Sequence, residues 1–446
     1  MARLPLDRSY LVLALIAGVC MILLVPPFQN PDEPSHFYRA WSLAEGELVS
    51  RNDSTVVLPG SVAKLPATLG SAGIDWSRNS YSTETTRRLL DQTTGSDEVR
   101  IFTSAGGAGP IGYVPAVVGI ELTRVVGRSP LAALYLGRLL NLLTATLLTF
   151  LAIRLAPFGK LLFALAGLLP MTIAQYASLT PDALAISGAF LFASLVLHYA
   201  QVRPLTTKDA ALLAAVGAVL LNAKQGSEVL VLLVFLLPLR AFSSVKRYVL
   251  SVAAVIGSTI VLGSILLLSA PNDAVAIHRY WGPGFQGDQS AQMRFVLDHP
   301  WAFAKVLGST AHIFTLNLFD QAVGELGWLT VFLPQVVPLV LLVLLALLFS
   351  YREDVTMSVR QRGVLAMVAG LYVLAVMTAL YLSWSPLHSP VVTGLQGRYF
   401  IAILPLGLLS VYRLQSGRRL VFAVLLALGL AAVVLTFAAL AQFYYI

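Results

Sequence analysis

The stretch LVFAVLLALGLAAVVLTFAALA, residues 420–441, carries no charged side chain and is long enough to cross a bilayer core as one helix. Two more runs read the same way, VVPLVLLVLLALLF at 336–349 and VLVLLVFLLPL at 229–239. A water-facing chain has no place for so many such runs. The remainder of the 446 residues agrees: 57% are hydrophobic, 12% are charged and the mean hydropathy is +0.79. A soluble domain carries about 25% charge. The chain therefore reads as an all-α polytopic membrane protein, which excludes a soluble enzyme, a nucleic-acid binder and a disordered scaffold. Its lone cysteine, Cys20, allows no disulfide framework.

Windows of about 20 apolar residues predict about eleven transmembrane helices, shorter where a helix ends in a protein cavity. They are Ser9–Phe28, Leu131–Ile153, Leu161–Ala177, Ala183–Tyr199, Ala210–Leu221, Val229–Leu239, Tyr248–Ser269, Leu329–Phe349, Gly363–Trp384, Tyr399–Tyr412 and Leu420–Ala441. The fifth and sixth are too short to cross alone and read as a hairpin with its tip at Asn222–Ser227. The first lacks a small-x-small cleavage site and runs into Pro26-Pro27, so it reads as an anchor rather than a signal peptide.

The net charge of +8 suggests a polyanion partner until it is sorted by side. With a cytoplasmic N-terminus, the inner segments hold Arg3, Arg8, Arg154, Lys160, Arg203, Lys208, Arg240, Lys246, Arg247, Arg352, Arg360, Arg362, Arg413, Arg418 and Arg419. Only Asp7, Asp209, Glu353 and Asp354 oppose them. Enrichment of Lys and Arg in short inner loops orients such chains, and every inner connection obeys it. Two large outer loops result, 29–130 and 270–328, within a single membrane domain. Ile111–Val126 and Trp301–Phe319 are moderately apolar and are placed at the outer interface as amphipathic or re-entrant helices. Gly106-Gly107-Ala108-Gly109-Pro110 reads as a hinge in the first loop.

Four places on the outer side combine residues capable of chemistry. In Asn30-Pro31-Asp32-Glu33-Pro34-Ser35-His36, adjacent carboxylates suit a general base or a divalent-cation ligand pair. They equally suit a helix cap and a dipole-complementing acid, because Phe37, Trp41 and Ala44 predict a short helix from Pro34 to a stop at Gly46. Thr180-Pro181-Asp182 is another acid at a helix start, and an ordinary one. Lys224 sits at the hairpin tip with Glu228 four residues on, so an anionic ligand, a headgroup and a Glu228 pair are all open. Gln396-Gly397-Arg398-Tyr399 brings a guanidinium to a helix start, where it suits a phosphate or an interfacial belt. The convergence of these places on one face describes a membrane-interface site. His36, His278, His299 and His312 are scattered, and no zinc spacing, Walker loop or nucleophile elbow is present.

Pro26-Pro27-Phe28-Gln29-x-Pro31-Asp32-Glu33-Pro34-x-His36-Phe37-Tyr38-Arg39-Ala40 resembles the opening signature of the bacterial domain-of-unknown-function 2142 membrane family. Gly137-Arg138-Leu139 with Asn141, Leu169-Pro170-Met171, Thr180-Pro181-Asp182-Ala183-Leu184, Gly324-x-Leu326-Gly327-Trp328 and Gln396-Gly397-Arg398-Tyr399-Phe400 continue the resemblance over nearly the whole chain. That family is similar to the GT-C glycosyltransferases, which take sugar from a polyprenyl-phosphate carrier. The resemblance implies a GT-C-like fold in the bacterial cytoplasmic membrane, with the active site on its outer side. Lys224-Gln225 stands where that pattern has Lys-Pro, keeping the cation and altering the loop.

On that reading Asp32 is the general base, or with Glu33 the ligand of a divalent cation such as Mg, Mn or Ca. Glu33 and Asp182, the other catalytic residues, orient the acceptor or share the metal, and Lys224 and Arg398 meet the donor phosphate. His36, Arg39, Gln396 and Tyr399 complete the substrate-binding set. The partners implied are a polyprenyl-phosphate sugar donor, an envelope glycan, lipid or protein acceptor, and membrane lipid, with no nucleic acid. The competing readings are a transporter or flippase for envelope precursors and a non-catalytic assembly partner. The transporter reading is disfavoured by intramembrane charges that lie near outer helix ends and by the absence of a convincing internal repeat.

Overall fold

The computed structural model describes residues 5–48, 54–69, 82–201, 205–224, 226–239, 242, 244–267, 288–334, 337–342, 357–411 and 419–446. It is mostly helical. Five described helices are long and apolar enough to cross a membrane: α1 (Leu6–Leu24), α6 (Pro130–Leu155), α9 (Asp182–Gln201), α11 (Val245–Leu267, its apolar window at Val245–Leu262) and α14 (Val359–Ser383). Among the described residues, these helices match five of the eleven predicted spans.

The difference has local causes. The window 161–177 is broken into α7 (Lys160–Gly167) and α8 (Pro170–Tyr176), each too short to cross alone. Proline at the first position of α8 holds Leu169 extended, and the Thr172 hydroxyl donates to the Ala166 carbonyl across the break at 2.7 Å. The predicted hairpin forms as α10 (Thr207–Ala223) followed by a 3₁₀ segment, Ser227–Leu236, with Gly226 at φ 91° between them. The window at 399–412 becomes a 3₁₀ turn, Gly397–Ile403, leading into α15 (Leu404–Val411). The last helix, α16, runs Arg419–Tyr445. Much of the window at 329–349 lies outside the described residues, as do 270–287 of the second loop, His278 and Arg3, Arg203, Arg240, Arg352, Arg413 and Arg418.

The packing explains which windows persist as long helices. On α1, Tyr10, Ala14, Ala17, Gly18 and Met21 form a buried stripe at helical spacing. The opposite stripe, Val12, Ile16, Val19 and Leu23, is exposed and apolar, the character of a lipid-facing surface. At Gly18 a Cβ would strike the Leu142 side chain, so glycine permits the close approach of α1 and α6. α9 is buried almost all round and packs against α6 and α10, and a Cβ at its Gly188 would press on the Leu220 side chain of α10.

The first loop is more structured than its sequence suggests. It carries the expected short helix, α2 (Glu33–Ala44), with Gly46 beyond its end at φ 87°. It also holds α3 (Gly60–Thr68), α4 (Thr83–Leu90), α5 (Val114–Val125) and two strands, so the all-helical expectation is corrected here. Strand β1 (Thr55–Pro59) pairs antiparallel with β2 (Glu98–Phe102), Thr55 opposite Phe102 and Pro59 opposite Glu98. Alternation buries Val56 and Leu58 with Phe37, Trp41, Tyr113 and Leu134 in a second core against the first turns of α6. Helix α5 covers 114–125 of the moderately apolar segment 111–126 and packs along α6. Segment 301–319 lies within α13 (Pro300–Val323), which follows α12 (Gln289–Asp298) and is long enough to cross but less apolar than the five.

Candidate functional site

The turn Phe28–Asp32 ends with Asp32 at φ 61°, ψ 2°, the left-handed region, immediately before α2. A non-glycine residue pays about 1–2 kcal/mol for that conformation, and aspartate tolerates it better than most. Asp32 occupies the cap position, yet its side chain makes no capping hydrogen bond. Its Oδ2 instead accepts from Arg398 Nη2 at 2.5 Å, and Arg398 Nη1 donates to the Pro31 carbonyl at 3.3 Å. Asp32 therefore does not cap α2 through its side chain, because its carboxylate is engaged by Arg398 instead.

Asp182 is the first residue of α9, and its Oδ1 is ion-paired with Lys224 Nζ. Lys224 follows the last residue of α10, where Gly226 turns the chain and leaves Glu228 exposed. The lysine thus finds its partner on α9 rather than four residues along its own chain. Arg398 Nε stands 3.7 Å from Asp182 Oδ2 and has no hydrogen bond, so this guanidinium, 3% exposed, reaches both acids. The Tyr399 ring lies beneath Lys224 Nζ at 4.1 Å and beside the Arg398 guanidinium at 5.4 Å. Gly397 admits this arrangement. A Cβ there would strike the Leu318 carbonyl of α13, and its N–H donates to Gln321 Oε1 at 2.9 Å.

These groups surround a cleft of about 280 Å³. Asp32, His36, Asp182, Lys224, Arg398 and Tyr399 form its polar side. Gly107, Ala108 and Gly109, the predicted hinge, supply a wall of backbone and small side chains. Val376, Ala379 and Leu380 of the α14 span make an apolar wall, with Ser383 at its end. His36 Nδ1 lies 2.6 Å from the Tyr113 hydroxyl. Burial pulls the His36 pKa down to about 4 against the opposing pull of Asp32 and Asp182, and it pushes Tyr113 up. Both side chains are uncharged at neutral pH.

Three expected site residues lie elsewhere. Glu33 is wholly buried on the other side of its turn. Oε1 accepts from Arg138 Nε at 2.8 Å and Leu179 N–H at 2.9 Å, and Oε2 accepts from Arg138 Nη2 at 2.5 Å and Phe28 N–H at 3.1 Å. Arg39 ties down backbone, donating to the carbonyls of Glu47 at 3.0 Å and Leu48 at 2.8 Å. Gln396 does not line the cleft, and its buried Oε1 has no hydrogen-bond partner. Arg138, Asn222 and Tyr113 also stand at or beside the site without being expected there. For Arg138 a signal existed, since an arginine inside a predicted span is by default a functional candidate.

The proposed metal pair is not supported by this donor set. Asp32 and Glu33 are drawn by two arginines to opposite sides of one turn. Asp182 is bridged by Lys224 and Arg398, and among the described residues no group of three His, Cys, Asp or Glu side chains suits a metal ion. What the cleft does offer is a part-exposed carboxylate, Asp32, able to accept a proton and two cations, held by Asp182, able to receive an anion.

The family description "Predicted membrane protein (DUF2142)" matches residues 15–407. No curated protein and no solved structure matches the chain. The motifs that built the cleft, from Pro26 to Arg398, all fall inside the matched region. The chain belongs to the DUF2142 family of predicted membrane proteins.

Proposed function

We propose that the protein is a membrane glycosyltransferase of GT-C type, moving a sugar from a polyprenyl-phosphate donor to a hydroxyl of an envelope glycan, lipid or protein. The observation that carries this reading is the closure of Asp32, Asp182, Lys224 and Arg398 on one cleft with an apolar wall from α14. A lipid-linked sugar needs that combination, namely a surface for its tail, cations for its phosphate and a base for its acceptor. The inner excess of Lys and Arg supports an outward-facing cleft in the bacterial cytoplasmic membrane.

The roles follow from the pairing. Asp32, whose side chain is 34% exposed, takes the proton of the acceptor hydroxyl as its oxygen bonds to the anomeric carbon. The bond from that carbon to the phosphate oxygen breaks, and the phosphate leaves with the electron pair and one more negative charge. Protonation weakens the hold of Asp32 on Arg398, which is then free to turn to the leaving phosphate beside Lys224. Asp182 keeps both cations in place. Neutral His36 lines the cleft as a hydrogen-bonding group. The reading assigns no chemical step to Glu33, Arg39 or Gln396, which lie outside the cleft.

The test is transfer of labelled sugar from undecaprenyl phosphate by protein reconstituted in liposomes. Asp32→Asn should slow it about 10²- to 10⁴-fold, the usual contribution of a positioned base. Undiminished turnover by that variant removes Asp32 from the role. Movement of the lipid across the bilayer without sugar transfer favours the transporter reading.

A further inference from the structure

The buried Glu33–Arg138 pair does not touch the cleft, yet it is attached to both turns that carry the cleft acids. Glu33 is the neighbour of Asp32, and its Oε2 closes the turn onto the Phe28 N–H. Its Oε1 accepts from the Leu179 N–H, three residues before Asp182. Arg138 holds the entry to the first turn through the carbonyls of Val25 at 2.9 Å and Pro26 at 3.0 Å. One turn along α6, Asn141 Nδ2 donates to the carbonyls of Ser178 at 2.8 Å and Thr180 at 3.1 Å. Each Glu33 oxygen accepts two hydrogen bonds, so this carboxylate has no capacity left for a substrate. A fully buried ion pair adds little net stability over an apolar pair of similar volume, so stability alone does not account for it. What the fork does add is direction, because a bidentate arginine fixes its partner in angle as well as distance.

We infer that Arg138, Glu33 and Asn141 are positioning residues, which set the separation and direction of the Asp32 and Asp182 carboxylates from the rigid face of α6. Glu33 itself accepts no proton in the reaction. With Glu33 drawn to Arg138 and Asp32 to Arg398, the peptide between two adjacent acids is held between opposed arginines. Asp32 stays left-handed because both ends are tied. The kinetic part of this inference rests on the transfer reading above, and the structural part does not.

The test is the double variant Glu33→Leu with Arg138→Met, which removes both buried charges together and so spares the fold the cost of leaving one unpaired. Its structure by electron cryomicroscopy should show Asp32 out of the left-handed region and its contact with Arg398 lost. Its binding of undecaprenyl phosphate should stay within about threefold, while kcat falls about 100-fold at little-changed donor KM, as expected for a misplaced reacting group. Adding Asp32→Asn should then cost less than about threefold more, because the two changes act through one group. Additive losses, a wild-type kcat, or Asp32 unmoved in the structure overturns the inference. Should the double variant not fold, Asn141→Ala, which frees only the Ser178 and Thr180 carbonyls, decides the matter. It should move Asp182, and with it the cations that Asp182 holds, and lower kcat about tenfold, and unchanged kcat overturns the inference. If the wild-type protein transfers no sugar, the functional reading falls and the structures of the variants still judge the positioning.

Discussion

Asp32 and Glu33 are adjacent residues of one type, each bound by an arginine at 2.5 Å, and they differ in nearly everything that matters for chemistry. Glu33 and Arg138 have wholly buried side chains, and the Glu33 oxygens are fully committed. Asp32 is a third exposed, its arginine is shared with Asp182, and that arginine keeps a buried Nε without a hydrogen bond. One pair is complete in itself and the other has capacity to spare beside a cleft. The lesson is that an acid–arginine contact carries function only where it can be exchanged for something else.

The contrast can be broken in order of expected effect. Asp32→Asn should stop most sugar transfer while leaving the detergent melting temperature nearly unchanged, and a large loss of stability would show that this pair too is structural. Arg138→Met alone should cost stability as well as transfer. It strands a buried Glu33 carboxylate, at a cost of about 3–5 kcal/mol, read as a lowered melting temperature and folded yield. Lys224→Met removes one of the two exchangeable cations and should weaken undecaprenyl phosphate binding about tenfold, measured by ligand depletion on proteoliposomes. Binding as tight as wild type would place the phosphate elsewhere.

A smaller effect comes from His36. The folded chain holds its pKa at about 4, below the ordinary 6.5, so between those values the unfolded chain takes up a proton that the folded chain refuses. Stability is therefore fully present above about pH 6.5 and declines as the pH falls toward about 4. Melting at about pH 7.5 and about pH 5 should show this drop, and His36→Gln should reduce it. The smallest change belongs to Arg124, whose contacts with Glu45 and Glu121 are about one-third exposed or more. Arg124→Gln should shift stability by less than about 1 kcal/mol, as surface pairs do.

Much of the local structure was legible. The spacing of Phe37, Trp41 and Ala44 with Gly46 beyond predicts α2 within a residue, and the break near Asn222–Ser227 appears where expected. The broken segment at 161–177 was not legible, because hydropathy reads Leu168-Leu169-Pro170 as continuous while proline and the preceding residue set a different backbone. Lys224 was hard to place for a related reason. An i, i+4 partner requires a helix through both residues, and α10 ends at Ala223. Asp32, His36, Asp182, Lys224, Arg398 and Tyr399 were singled out and do meet. Glu33, Arg39 and Gln396 were singled out beside them and do not.

Composition and hydropathy by themselves determine a helical membrane protein, because the solvent preference of each residue is local and simply accumulates along the chain. They also bring forward the few polar groups that such a chain would otherwise exclude. Which acid works with which base is decided only in the tertiary structure. Glu33 meets Arg138 across 105 residues and Asp32 meets Arg398 across 366, and no propensity or spacing acts over that distance. The backbone at Asp32 sends one carboxylate into the closed core and its neighbour to the cleft, and that single turn separates scaffold from chemistry.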